Sequence, residues 1–365
     1  MSSSGGGARR IPPYEVLLVA AGLTAGAIPW LPHLRLSPEL VLGVFVPPLV
    51  FQAASTLNQK ALLRVASEVA LLTVLGVAVS ATLMALTARY LLALSWPESI
   101  LLGAILSPTD PIAVVALIRR SRSPQGLVSL LEGESLANDG ISVALWQAAL
   151  VAVAGGSFGA PGLGVAFARL VLIGIVAGAA GAMAAALWLK LASFTGHRLL
   201  VTVVVAYGVF ALASDLGGSG VVADVAAGLL LVRLAPFGRG VEAGWSKLTT
   251  WLSLPLFLLI GLGLPTLSVV GQVEAALLAL GTVWVARLLA VQLLLPRWRA
   301  RQRLLVWWGG IRGALPVAMA LASTAYPGVD PRVPEIAYGV VALSLVIQGV
   351  TLAPVTSLLK LRNGA

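Results

Sequence analysis

Long apolar runs, each able to cross a lipid bilayer as a helix, dominate the sequence. Only 10% of its 365 residues are charged and 59% are hydrophobic, whereas a soluble domain carries about 25% charged residues. The runs lack the alternating segments of about 10 residues that a membrane barrel requires. We therefore predict an all-α polytopic membrane protein of about 12 transmembrane helices. The predicted spans lie near 14–32, 39–56, 67–93, 99–118, 126–154, 162–192, 198–214, 217–235, 246–270, 273–295, 304–325 and 335–359.

The basic residues fall unevenly on the two sides of these spans. Of the 24 Lys and Arg, 18 lie on one side, three on the other and three within or at the edges of spans. Such a bias marks the cytoplasmic side, so both termini are predicted to be cytoplasmic. Residues 1–13 are rich in Ser and Gly and are predicted to form a disordered cytoplasmic tail, which leaves 14–365 as a single transmembrane domain. Because the net charge of +10 is scattered among the connections, it predicts no nucleic-acid partner.

Several kinds of chemistry are excluded by composition. The chain has no cysteine, which removes thiol catalysis, disulfides and thiolate metal sites. Its two histidines, His33 and His197, are isolated and do not form a His-rich metal site. No resident cofactor is predicted.

The fourth span is interrupted near its middle by Ser107-Pro108-Thr109-Asp110-Pro111. Two prolines three residues apart remove two amide donors and obstruct the helix. Freed backbone groups at membrane depth are tolerated where they line a cavity within the protein, and there they coordinate ions. We therefore predict a broken helix at Asp110.

The fifth span begins with a polar segment that contains Glu134, Ser135, Asn138 and Asp139. Glu134 and Asn138 are four residues apart and share one face of a helix, while Ser135 and Asp139 share the adjacent strip. Oxygen ligands alone suit a hard cation, and a desolvated carboxylate can also carry a proton. A solvated helix end at the cytoplasmic boundary is an alternative that suits Glu132 but not Asp139, which lies deeper in the span.

The eleventh span carries Gly309-Gly310-Ile311-Arg312-Gly313 followed by Pro316, so it too is predicted to be broken, with a cation where the fourth span has an anion. In the predicted topology these two spans run in opposite directions. Antiparallel interrupted spans are typical of an inverted repeat whose binding site lies where the breaks cross.

These three motifs, in this order and spacing, resemble the bacterial sodium/proton antiporters of the monovalent cation/proton antiporter superfamily, in the branch marked by the Asn-Asp pair at Asn138 and Asp139. The resemblance covers nearly the whole chain. It implies exchange of a monovalent cation for H⁺ by alternating access in a bacterial inner membrane, with Na⁺ as the first expectation and Li⁺ or K⁺ as alternatives. It also implies a homodimer, with a core bundle around 99–156 and 304–359 and the other spans as dimer contacts or scaffold.

The resemblance assigns roles to individual residues. Asp139 would bind Na⁺ or H⁺ in turn, and Asp110, Ser135 and the backbone carbonyl of Thr109 would complete the sodium site. Asn138 would orient that site. Glu134 would form a buried ion pair with Arg312 that holds the two broken helices together.

This sequence departs from the family pattern in the second span and in the number of spans. Gln52 stands where relatives usually have glutamate, and Asn58 where an acidic residue is common. Gln52 is therefore expected to contact the site through a water without titrating. A span that relatives usually have before Pro13 is not found here, because the chain either lacks it or begins late. Asp224 replaces an expected apolar residue and is predicted to pair locally, with Arg287 or Arg233.

Two other functions fit this sequence less well than an antiporter does. A cation channel would repeat a filter loop around a symmetric pore, which the sequence does not contain. A membrane-embedded enzyme could use the mid-membrane acids, yet no His, Cys or metal-ligand set accompanies them.

A single free titrating carboxylate beside a neutralised pair favours one-for-one, electroneutral exchange.

Overall fold

The computed structural model describes residues 14–26, 28, 41–120, 125–155, 160–191, 198–263 and 269–359. Within these ranges the secondary structure is helical, with one isolated backbone bridge and no strand. The all-α prediction is therefore confirmed. The predicted tail at 1–13 and both histidines lie outside the described residues.

The structure has a series of α-helices joined by short connections. They are α1 (Tyr14–Gly26), α2 (Val46–Thr56), α3 (Gln59–Leu63), α4 (Ala66–Leu71), α5 (Val77–Tyr90), α6 (Trp96–Ile105), α7 (Ile112–Arg120), α8 (Gln125–Val153), α9 (Ala160–Leu191), α10 (Arg198–Asp215), α11 (Gly220–Leu234), α12 (Arg239–Gly263), α13 (Val273–Leu294), α14 (Ala300–Trp308), α15 (Ala314–Ser323) and α16 (Arg332–Leu359). Wider π-helical turns at Val41–Phe45 and Leu72–Gly76 lead into α2 and α5.

Six helices in the described ranges are long and apolar enough to cross a membrane. They are Ala66–Tyr90, Gln125–Val153, Pro161–Leu191, Arg198–Asp215, Val273–Leu294 and Arg332–Leu359, and the shorter apolar helices are Leu42–Thr56 and Ala314–Ser323. The chain is thus a multi-pass membrane protein. The count of twelve spans stays a prediction.

The helices pack as two groups. In the site bundle, α4 to α8 pack with one another and with α13 to α16. In the flanking bundle, α1 packs on α12, and α11 packs on α2, α9 and α10. The two groups meet where α8 contacts α9 and α11. The helices α6 to α8 and α14 to α16, which overlap the predicted core segments, belong to this site bundle, and the division into core and scaffold stays a prediction.

Helical structure is interrupted twice within the site bundle. α6 ends at Ile105 and α7 begins at Ile112, while α14 ends at Trp308 and α15 begins at Ala314. The first interruption contains the two prolines that remove amide donors, and the second contains three glycines, which have low helix propensity.

Helix starts near the site bundle are fixed by side-chain caps. Ser95 and Glu98 form a reciprocal capping box at the first turn of α6. Asn58 accepts a hydrogen bond of 3.1 Å from the Ala61 amide and caps α3. In this structure Asn58 therefore acts as a helix cap.

Candidate functional site

The two interruptions cross and are joined through their backbones. The Asp110 amide donates to the Ile311 carbonyl at 2.7 Å, in the isolated antiparallel bridge. α16 binds the second interruption with two side chains: Ser344 Oγ accepts from the Arg312 amide at 3.1 Å, and Gln348 Nε2 donates to the Trp308 carbonyl at 2.8 Å. Backbone groups freed from the helix are thus satisfied within the protein, as hydrocarbon surroundings require.

α8 satisfies the first interruption in the same way. Ser135 Oγ donates to the Thr109 carbonyl at 2.7 Å, and Asn138 Nδ2 donates to the Ser107 carbonyl at 3.2 Å. Asp110 Oδ1 accepts from the Ile112 amide at 2.9 Å, at the first turn of α7. A carboxylate at a helix N-terminus is stabilised by the free amides and by the helix dipole.

Glu134 forms its ion pair with Arg287 of α13, and the predicted pairing with Arg312 is wrong. Arg287 Nη1 lies 3.1 Å from Glu134 Oε1 and Nη2 lies 3.2 Å from Oε2, a two-pronged geometry. Asn138 Nδ2 at 3.3 Å and Thr109 Oγ1 at 3.4 Å add further donors to the same carboxylate. Glu134 is only 2% exposed, and its charge is balanced at the point where the helices meet.

The glycines of the eleventh span explain why Arg287 can reach Glu134. A Cβ on Gly310 would collide with the Arg287 side chain, and a Cβ on Gly313 would collide with the carboxyl of Asp110. Glycine at these two positions therefore makes room for a cation from α13 and for an anion from the other interruption. Arg287 Nε also donates to the Val306 carbonyl at 3.2 Å, which holds the guanidinium against α14.

Arg312 is a second buried cation, 1% exposed. Its Nη1 donates to the Gly310 carbonyl at 3.4 Å, its Nε has no hydrogen-bond partner, and no ion pair of Arg312 lies within the described ranges. Glu134, the predicted partner of Arg312, is bound by Arg287 instead. Arg312 thus adds positive charge close to the crossing without neutralising one particular acid.

A polar row runs along α8 from the ion pair. Asn138 Oδ1 accepts from Ser142 Oγ at 3.0 Å, and its Nδ2 contacts Glu134, so residues 134, 138 and 142 form one stripe. A small cavity of about 10 Å³ borders this stripe, which is room for about one water. Its polar lining comes from Ser80, Ser107, Glu134, Asn138 and Arg287.

Asp139 lies on the neighbouring strip of α8, where the site bundle meets the flanking bundle. The next residue, Gly140, packs against Val222 of α11. Asp139 is half-buried, and within the described part of the chain its carboxylate makes no hydrogen bond or ion pair. Asp110 and Glu134 are the acids whose charges act on it. Thr109, Ser135 and Asn138 lie next to one another at the crossing, as the hydrogen bonds above establish.

Two further sequence predictions have different outcomes. Gln52 is half-buried on α2, and the structure records no contact between its side chain and these groups, so a water-mediated contact stays a prediction. The predicted local pairing of Asp224 is wrong: Arg287 binds Glu134, and neither Asp224 oxygen has a hydrogen-bond partner. No described ion pair joins Asp224 to Arg233.

Sequence reasoning missed the polar residues that hold the second interruption from α16. Ser344 and Gln348 are four residues apart in an otherwise apolar span, and Ser344 Oγ donates to Gln348 Oε1 at 2.6 Å. That spacing on a membrane helix was the available signal. Arg287 was visible as an embedded cation, but its partner was not.

The chain is similar to known proteins along nearly its full length. The family model described as "Sodium/hydrogen exchanger, transmembrane" matches residues 6–358. The Na⁺/H⁺ antiporter ApNhaP of Aphanothece halophytica is 32% identical over 362 residues, which cover 94% of this chain and 69% of that protein. The low-affinity Na⁺/H⁺ antiporter NhaS1 of Synechocystis sp. is 32% identical over 361 residues, covering 93% of this chain and 68% of the relative.

The fold matches a solved structure as well. The sodium proton antiporter MjNhaP1 from Methanocaldococcus jannaschii superimposes with a TM-score of 0.78 at 21% identity, over 95% of this chain and 92% of that one. The matched family model, the identity with ApNhaP and NhaS1 and the shared fold lead to one assignment: the chain belongs to the transmembrane sodium/hydrogen exchanger family.

Proposed function

We propose that Na⁺ and H⁺ compete for the carboxylate of Asp139, and that their alternate binding drives exchange across the membrane. The family consists of transporters, and this chain is a cation/proton antiporter, not an enzyme. What remains to be assigned is where the exchange takes place and which residues carry it.

The observation that carries the proposal is the contrast between two acids on the same helix. Glu134 is fully engaged by Arg287, Asn138 and Thr109, so its charge is already balanced. Asp139 is half-buried and has no bonding partner within the described chain. A carboxylate without a partner, yet reachable by water, can exchange a proton for a cation at little structural cost.

The sodium ligands we propose are Asp139, Asp110, Ser135 Oγ and the Thr109 carbonyl. All are oxygens, which Na⁺ prefers as a hard cation. Ser135 Oγ and the Thr109 carbonyl already lie 2.7 Å apart, so they are available at one place. Asn138 is fixed by Ser107 and Ser142 and would orient the ligands without binding the ion.

A stoichiometry of one cation for one proton follows from the same contrast. Arg287 balances the charge of Glu134, and the first turn of α7 stabilises the carboxylate of Asp110, so Asp139 is left as the carboxylate that exchanges its ligand. One charge then moves in each direction, so we expect exchange to be electroneutral. An imposed membrane potential should leave the rate unchanged.

The wider architecture is proposed on the same basis. The crossed interruptions at Asp110 and Ile311 and the likeness to an antiporter fold support twelve spans, an inverted repeat with two broken helices, and a homodimer. The distribution of Lys and Arg supports both termini in the cytoplasm of a bacterial cell, with the chain in its inner membrane. Gln52 would reach the site through a water.

Exchange in proteoliposomes tests the site. A jump in external Na⁺ should change the luminal pH reported by a trapped dye in wild-type vesicles, and Asp139→Asn should abolish that response while leaving folding intact. Glu132→Gln is the matched control, because Glu132 lies on the same helix but pairs with Arg119 near the helix start. Full exchange by Asp139→Asn, or an equal loss in Glu132→Gln, would overturn the assignment. A cation channel would give Na⁺ flux without coupled proton movement.

A further inference from the structure

Asp224 is a buried acid that the exchange mechanism does not use. It lies on α11, is 0% exposed, and has no hydrogen-bond partner for either carboxylate oxygen. Glu134 is equally buried, but donors surround both of its oxygens. The lack of a partner at full burial is unusual, because most buried polar atoms find one.

The neighbours of Asp224 along α11 locate its side chain. Gly228, one turn later, packs directly on the Phe51 carbonyl and on Ala54 of α2. Gly220, one turn earlier, faces the ring of Phe210 on α10. Residues four apart share a helix face, so Asp224 lies in the seam between α2 and α10.

The ionisable groups on the helices around α11 do not neutralise Asp224. The Tyr207 hydroxyl on α10 donates to the Val44 carbonyl at 2.8 Å and makes no hydrogen bond to Asp224. α2 has no ionisable residue. The remaining ionisable groups on α8, α9, α10 and α12 and on α11 itself are Glu132, Glu134, Asp139, Arg169, Lys190, Arg198, Asp215, Arg233, Arg239, Glu242 and Lys247, and none of them forms an ion pair with Asp224 within the described chain.

An ionised carboxylate in such a place would be very costly. Transfer of an unpaired charge out of water is so unfavourable that a buried acid takes up a proton instead. The carboxylic acid form is neutral and tolerates the apolar seam far better. The residues that pack on α11 one turn to either side of it, Phe51, Ala54 and Phe210, offer it no charge.

We propose that Asp224 is a second proton-binding site of this chain, separate from Asp139. Asp224 holds its proton as long as α11 stays packed on α2 and α10. Ionisation then requires water to enter the seam. By linkage, a proton kept by the folded chain and released by the unfolded chain makes stability fall as the pH rises. Alkaline pH should therefore favour separation of these helices.

Infrared difference spectroscopy of the purified full chain tests this directly. Wild-type protein at neutral pH should show the C=O stretch of a protonated carboxylic acid, and Asp224→Asn should lose that band. The band should persist in saturating Na⁺, whereas a band from Asp139 should vanish because the cation displaces its proton. Absence of the Na⁺-sensitive band would count against exchange at Asp139 and leave the Asp224 band unaffected, so the two proposals can be told apart.

Unfolding in mixed detergent gives a second readout. Between about pH 6 and pH 9, the unfolding constant of the wild type should rise with pH more steeply than that of Asp224→Asn, by about tenfold per pH unit. The reason is that unfolding of the wild type releases one proton that the variant does not carry. Asp224→Val serves as a second variant without a titrating group and should match the Asn variant. Identical infrared spectra for wild type and Asp224→Asn, or identical pH slopes for wild type and both variants, would overturn the proposal.

Discussion

The centre of the site bundle and the seam of the flanking bundle each contain a buried carboxylate, and the two carboxylates differ in their hydrogen-bond and ion-pair partners. At the centre, Glu134 is met by both prongs of Arg287 and by two neutral donors. In the seam, Asp224 meets none within the described chain. Burial is nearly the same, 2% and 0% exposure, so the partners determine the charge state. Asp139, half-buried and unpartnered, lies between these extremes, which suits a group that must change its ligand.

Removing Arg287 should leave Glu134 as a buried acid without an ion-pair partner, as Asp224 is. We expect Arg287→Ala to destabilise the chain by about 3–5 kcal/mol, because it leaves an unpaired buried charge. Arg312→Ala should cost less, since Arg312 has no ion pair in the described structure. Thermal unfolding in detergent measures both, and Arg287→Ala with Glu134→Gln should recover part of the loss. If Arg312→Ala were the more damaging change, the assigned pairing would be wrong.

The intermediate character of Asp139 should be visible in the pH dependence of transport. At low pH the proton holds the carboxylate, and at high pH no proton displaces the cation, so the rate should be bell-shaped. Raising Na⁺ tenfold should move the acidic limb down by up to about one pH unit, as direct competition requires. Initial rates in vesicles at several Na⁺ concentrations give the shift. If the position of the acidic limb did not change with the Na⁺ concentration, Na⁺ and H⁺ would bind at different sites.

Adding a carboxylate near the site should shift the balance at Asp139 toward cations. Gln52→Glu is expected to lower the apparent KM for Na⁺ at about pH 8.5, where an added glutamate is ionised and its field favours a cation. Gln52→Met is the neutral control and should not lower KM. The measurement is the Na⁺ dependence of exchange in vesicles. An unchanged or higher KM in Gln52→Glu would place Gln52 outside the ion site.

The half-buried pair of Asp330 and Arg332 should give the smallest change in stability. Arg332 Nη2 donates to Asp330 Oδ2 at 2.7 Å, and this hydrogen bond holds the pKa of Asp330 below its ordinary value. The stability that the pair adds is therefore present above the pKa of a free aspartate, about 4, and is lost as the pH falls through the lower folded value. Asp330→Asn should cost at most about 1 kcal/mol at neutral pH. Chemical unfolding at pH 7 and in acid checks this, and a loss as large as that of Arg287→Ala would contradict it.

Local features of the fold could be predicted from the sequence because their causes are local. The two prolines around Asp110 and the glycines around Arg312 lie where the chain leaves the helical conformation. The four-residue spacing of Glu134 and Asn138 agrees with their contact at 3.3 Å. These inferences need only backbone chemistry and helix periodicity.

Pairing between distant segments could not be predicted in the same way. Two arginines were embedded in the spans, and helix spacing cannot rank partners that lie 153 residues apart. The choice depends on the gap above Gly310, which exists only once α13 and α14 have packed. The same limit applies to Asp224: the sequence shows a charge where an apolar residue is expected, but not that this carboxylate forms no ion pair within the described part of the chain.

The bond from the Asp110 amide to the Ile311 carbonyl has a consequence for genetics. Both atoms belong to the main chain, so most substitutions at either position leave the bond chemically possible. Among codon changes, proline at position 110 removes the donor, but it also replaces the side chain and fixes φ. An ester in place of the amide at position 110 deletes the donor and keeps every side chain. Most substitutions in a mutational scan would therefore not reveal what this bond contributes to joining the two interruptions.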